Sequence, residues 1–270
     1  MPRPSRPDEP LRTFLDAARS ICRDIAKATE CHVADVEITE LVKSVDATGQ
    51  YRADRRIIQI DRSAVAEPLV KVLTGDIAGL SLEEVVEAAA TVNHEHIHAL
   101  GPSDPGPANG YGLIWRGLRA RNSGPLNWEE GVTEAWSIAS FGDFLRTSGL
   151  IKADPRLLGV PYPNSYEFEV IAVHQVAAAL STIAGRTPEE MLRAMAAELP
   201  DTRSAVMADL VLAGQGLAVH PDNLAMASEL ERGLDGVFDF IDLSASNGPR
   251  RAVENVQDAM DALRDRYDLP

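Results

Sequence analysis

Apolar side chains recur at helical spacing over most of this chain. Leu11, Phe14, Leu15, Ala18, Ile21, Cys22 and Ile25 form one stripe and predict a helix over residues 11–30. A second stripe runs through Val85, Ala88, Ala89, Val92, His96 and Ala99. It opens on Ser81 with Glu84 three residues on, the spacing of a capping box, and Gly101-Pro102 ends it. Similar patterns predict a short helix over 63–73 and further helices over 127–144, 165–184, 188–198, 202–212, 223–240 and 248–266. Before the Ser81 helix the period changes to two. Residues 33–42 alternate as a strand, Ala47 to Gln50 supplies a turn, and residues 51–60 give a second strand. The predicted class is α+β, mostly helical, with a small N-terminal sheet. Residues 1–10, which include Pro2, Pro4, Pro7 and Pro10, read as a disordered arm. Residues 11–100 form an N-terminal subdomain, 101–200 a second one, and 201–270 a helical tail packed on it.

The Ser81 helix also carries the most specific chemistry. His94 and His98 are four apart, so both imidazoles leave one face of the helix, one turn apart. Glu95 lies about a quarter turn round from His94. This is the H-E-x-x-H spacing, in which two histidines hold zinc and the glutamate serves as base toward a polarised water. His96 points off that face and reads as a packed or hydrogen-bonded residue.

A catalytic zinc takes three protein ligands and leaves one position for water. Two carboxylates compete for the third place. Asp104 completes H-E-x-x-H-x-x-G-x-x-D, a metzincin spacing, but that pattern also needs a methionine turn. The next methionine is Met191, inside a helical stretch. Glu130 lies where a second helix begins, with Asn127 placed to cap it. Glu130 and Glu134 share a face, so Glu130 can bind the metal while Glu134 accepts the remaining N–H of a ligating histidine. Trp128 and Trp136 flank them, which argues against a purely solvated segment. Glu130 is the preferred ligand and Asp104 the alternative. Two histidines and one carboxylate also suit non-haem Fe(II), so a peptide-modifying oxygenase is a rival reading, as is a non-catalytic metal-binding protein.

The H-E-x-x-H run followed by Glu129-Glu130-Gly131-Val132-Thr133-Glu134 resembles the gluzincin metallopeptidases. The second segment is similar to the N-E-G-F-A stretch of the aminopeptidase N family and the N-E-x-x-S-D stretch of thermolysin. Glu129 stands where those families have asparagine, and the aminopeptidase G-A-M-E-N motif is absent. The likeness runs over residues 33–185 by organisation and over two short motifs by residue. It implies a zincin-like fold, bound Zn2+, hydrolysis of a peptide or protein substrate, and Glu95 as general base. It also implies a tyrosine from beyond the third ligand that stabilises the oxyanion; Tyr166 is chosen, with Tyr162 as the alternative. By the same analogy, residues 56–60 form the sheet edge that holds extended substrate. His174, on a face with Val170 and Val173, reads as packed, and His32 and His220 as surface and turn residues.

Composition changes this picture little. A net charge of −15 argues against nucleic acid or an anionic membrane as partner. Cys22 and Cys31 fit no zinc knuckle or redox pair. No signal peptide is read at the N-terminus, and no run is read as approaching membrane-spanning length, so a cytoplasmic location is expected. Residues 101–126, rich in glycine and proline and carrying Tyr111, Trp115, Arg116, Arg119 and Arg121, are long enough for a functional loop.

Overall fold

The computed structural model describes residues 5–40, 48–52, 55–101, 124–198, 202–240 and 248–267. It is 69% helical with a small sheet, the expected α+β class. The chain divides into two compact units, Met1–Asp104 with Trp136–Ser165, and Pro105–Ala135 with Tyr166–Pro270. The boundaries expected at residues 100 and 200 differ from this division, because residues 136–165 return to the first unit. Residues 102–123, with Asp104 and the five aromatic and basic residues noted among them, lie outside the described residues.

In the first unit, α1 (Glu9–Ala26) starts on Asp8, whose carboxylate accepts the Leu11 N–H. Its apolar stripe is buried from Leu11 to Cys22 as the periodicity predicts, while at its end Ala26 is buried and Ile25 only partly so. The arm preceding it does not behave as disordered where it is described. Ser5 exchanges backbone hydrogen bonds of 3.0 and 2.9 Å with Ile38, which ties the arm to the sheet. After β1 (Glu30–Cys31), the sheet is built from β2 (Asp35–Thr39), β3 (Gly49–Arg52) and β4 (Ile57–Asp61), in the order β2-β4-β3. β4 runs parallel to β2 and antiparallel to β3. The single strand expected over 51–60 is therefore two strands, with Arg56 taking a left-handed φ of 54° in the reversal. β4 is the central strand, which corrects the placing of residues 56–60 at an edge; β2 and β3 are the edges.

A π-helical turn (Arg62–Ala66) leads into α2 (Glu67–Thr74), and α3 (Leu82–Ile97) follows. The capping box forms: Glu84 N–H donates to the Ser81 hydroxyl at 3.1 Å, and Ser81 N–H to the Glu84 carboxylate at 2.8 Å. Hydrogen bonds from the Ser81 backbone N–H and side chain hold the Glu84 carboxyl below its ordinary range. The far end of α3 is tied down by β5 (Leu100–Gly101), which pairs antiparallel with β1. Two-residue strands carry no periodicity, so no pattern along the chain marks this pair. It also explains His32, expected at the surface but 7% exposed: its N–H donates to the Ala99 carbonyl at 2.7 Å.

Helix α4 (Gly124–Thr147) follows, and its distal half belongs to the first unit. It starts three residues before Asn127, which therefore does not cap it. Phe144 on α4 meets Phe14 of α1 edge-on, with ring centroids 6.2 Å apart, so the core of this unit joins α1, α3, the sheet and α4. A short α5 (Leu150–Ala153) and a 3-10 turn (Pro155–Gly159) complete it.

The second unit is helical. It contains α6 (Glu167–Ala184), α7 (Pro188–Ala196), α8 (Arg203–Gly214), α9 (Asn223–Phe240) and α10 (Gly248–Tyr267), with α6 packed against α7, α8 and α10. Tyr166 occupies the N-cap position of α6. Its buried arc is centred on Val173, Val176 and Leu180. That leaves His174 exposed beside Phe168 and Ile171, so the packed reading of His174 does not hold. By length and composition α6 is apolar enough to cross a membrane, contrary to the expectation that no run approaches that length. A helix serving as the core of a helical unit meets the same criterion.

Candidate metal centre

His94 sits in the last turn of α3, and His98 is its C-cap, still in right-handed helical geometry at φ −55° and ψ −23°. The i,i+4 relation therefore survives the end of the helix. The two imidazoles meet through Nε2, 3.0 Å apart, with ring planes at 77°. Two nitrogens bound to one tetrahedral zinc stand about 3.3 Å apart, given metal–nitrogen bonds of about 2.0–2.1 Å. The pair thus presents two lone-pair sites at nearly the separation a single ion demands. Glu130 completes the group: one ligand atom from each of His94, His98 and Glu130 lies within 4.8 Å of the others. His98 is 6% exposed and Glu130 half-buried.

The backbone reasons for this placement lie in α3 and α4. Asn93, immediately before His94, is 1% exposed. Its amide donates to the Ser137 carbonyl of α4 at 3.4 Å, and its carbonyl oxygen accepts from the Cys22 thiol of α1 at 3.4 Å. Asn93 thus joins three helices next to the first histidine. Glu130 stands about two turns before Ser137 on α4, with Glu134 buried between them at 3% exposure. Trp128 and Trp136 are buried too, at 1% and 4%, as their flanking positions suggested.

Glu95 is 7% exposed, and the Tyr51 N–H of edge strand β3 donates to its Oε2 at 2.5 Å. The strand approaches this closely because residue 49 has no side chain. A Cβ there would lie 2.5 Å from Thr91 Cγ2 and 2.9 Å from Glu95 Cγ. Gly49, read from sequence as a turn residue, is instead the first residue of the strand that packs on the motif helix. Gly49→Ala should shift β3 off α3 and destabilise the fold by about 1–3 kcal/mol, the usual cost of overpacking. A melting temperature equal to that of the wild type would show that the strand does not bear on Glu95.

His96 is fully buried, and its Nδ1 lies 2.7 Å from the Val92 carbonyl oxygen, as a hydrogen-bonded reading requires. Burial pushes its pKa down to about 4, so the ring stays neutral. Cys31 contacts the His96 carbonyl at 3.5 Å, and burial pushes its thiol up to about 11. Both cysteines are free and buried. His220 takes its turn position, its Nδ1 accepting the Asp222 N–H at 3.1 Å. Tyr162 packs edge-on against Phe141, centroids 5.0 Å apart, while Tyr166 opens α6. The first turn of α6 lies against α4 beside Glu130, since a Cβ at Gly131 would stand 2.9 Å from Glu169 Cβ.

Sequence reading missed Tyr51, Gly49, Asn93 and the Glu129 partner Arg203. A glycine inside a strand and a polar residue on the buried side of α3 were the available signs for two of them. No family model matches this chain, and neither a curated protein nor a solved structure matches it.

Proposed function

We propose that this chain is a zinc-dependent metallopeptidase of the gluzincin type on a zincin-like fold. The observation that carries the reading is the convergence of one ring nitrogen each from His94 and His98 with a Glu130 carboxylate oxygen, and Glu95 is buried on the same helix turn as His94. Two imidazoles and one carboxylate are a donor set that fits zinc and leaves a position for solvent. When bound, zinc supplies Lewis-acid polarisation of water and of the scissile carbonyl.

The chain's own residues do the rest. Glu95 accepts the proton of the attacking water and passes it to the departing amine. The Tyr51 N–H donates to the Glu95 carboxylate and holds it in place beside β3. Glu134, buried one turn beyond Glu130, accepts a histidine N–H and sets its tautomer. Tyr166 donates its phenol O–H to the oxyanion that forms as the carbonyl becomes tetrahedral, with Tyr162 the alternative donor. The substrate is a peptide or protein.

Metal analysis of protein purified without added metal should find about one zinc per chain. A chelator should abolish hydrolysis of a peptide mixture, and added zinc should restore it. Iron in place of zinc, with turnover that depends on oxygen, would move the chain to the oxygenase class.

A further inference from the structure

We infer that Arg203 is a positioning residue for the third metal ligand, acting through Glu129; the inference rests on the metal centre proposed above. Glu129 directly precedes Glu130 on α4, and it is 5% exposed. A carboxylate so buried needs a counter-charge and hydrogen bonds. Arg203, the first residue of α8 and 3% exposed, supplies both: Nη2 donates to Glu129 Oε2 at 2.8 Å. The guanidinium is itself aimed. Its Nε donates to the Met195 carbonyl at 2.9 Å, and Nη2 reaches the Glu198 carbonyl at 3.4 Å. Both acceptors lie at or just past the end of α7, so the fork cannot simply follow α4 if that helix turns.

On the other side of the ligand, Gly131 is pressed against α6, where a Cβ would stand 2.9 Å from Glu169 Cβ and 3.1 Å from Val173 Cγ2. The backbone of Glu130 is thus held one residue before by an ion pair and one residue after by close packing. A carboxylate at the end of a glutamate side chain lies roughly 7 Å from its helix axis, so a 20° rotation of α4 displaces it by about 2 Å. Metal–ligand distances tolerate only about 0.2 Å. Holding α4 against rotation at residue 129 is therefore a requirement for ligation by residue 130. The assignment also accounts for glutamate, in place of asparagine, before the third ligand. It makes the start of α8 part of the metal centre's support and not an appended cover.

The test measures zinc affinity, by competition with a chromophoric chelator, and the visible spectrum of the Co2+-substituted full chain. It compares the wild type with Arg203→Lys and with the double variant Glu129→Met, Arg203→Met. Lysine keeps the charge but loses the fork that bonds Glu129 and the Met195 carbonyl together. The double variant removes both charges, so no unpaired ion is left buried. Circular dichroism should report native helix content, zinc affinity should fall about 10–100-fold, and the Co2+ band intensities should change. A role confined to stability would leave the spectrum alone. Wild-type affinity and spectrum in a folded variant would overturn the inference, and Arg203→Lys decides if the double variant does not fold. Zinc lost on Glu130→Ala but kept by the Arg203 variants would overturn this inference alone. A wild type that binds no zinc would remove the metal centre and the inference together.

Discussion

Replacing Glu95 by glutamine should leave zinc at its wild-type stoichiometry and lower peptide hydrolysis by about 10²–10⁴-fold, the contribution a positioned general base makes. Glutamine has nearly the same shape, and its Oε1 still accepts the Tyr51 N–H that now binds the carboxylate at 2.5 Å. Packing of β3 on α3 is therefore kept. What is lost is the ability to take a proton from water and return it to the amine. The effect should fall on kcat, with KM little changed, because the residue acts on the reacting proton and not on the bulk of the substrate. A variant that loses zinc as well would mean that Glu95 supports the metal. A variant with full activity would remove Glu95 from the mechanism.

The second large effect belongs to Glu130→Ala, which should weaken zinc binding by at least about 100-fold, beyond the loss typical of residues that only support a ligand. Alanine is the best helix former, so α4 should survive the change and circular dichroism should remain native. Asp104→Asn should leave zinc affinity unchanged. Equilibrium dialysis against buffered zinc reads both. The reverse pattern, with affinity lost at residue 104 and kept at 130, would exchange the third ligand and with it the gluzincin assignment.

Some of the site was legible before any coordinates because its parts are local. The capping box at Ser81 and Glu84, the helix it starts, and the shared face of His94 and His98 all follow from spacings of three or four residues. Glu130 was identifiable as a candidate for the same reason, since it shares a helix face with Glu134. Histidines were read less well: His32 is buried through a strand of two residues, and His174 is exposed because the buried arc of α6 is centred elsewhere. Both errors concern which side of an element faces a neighbour, a matter decided outside the element.

By itself the sequence determined the helical class, the motif helix with its start, and the donor types brought to one face of it. Periodicity, capping and i,i+4 geometry act within a few residues, and so they are written in the chain. Only the tertiary structure decided which strand lies beside Glu95, that Gly49 lets it approach, and that β4 sits between two neighbours. It also decided that Glu129 finds its counter-charge in Arg203. These depend on packing between residues tens of positions apart, where close approach and burial of charge select the partner and no short-range pattern records the choice.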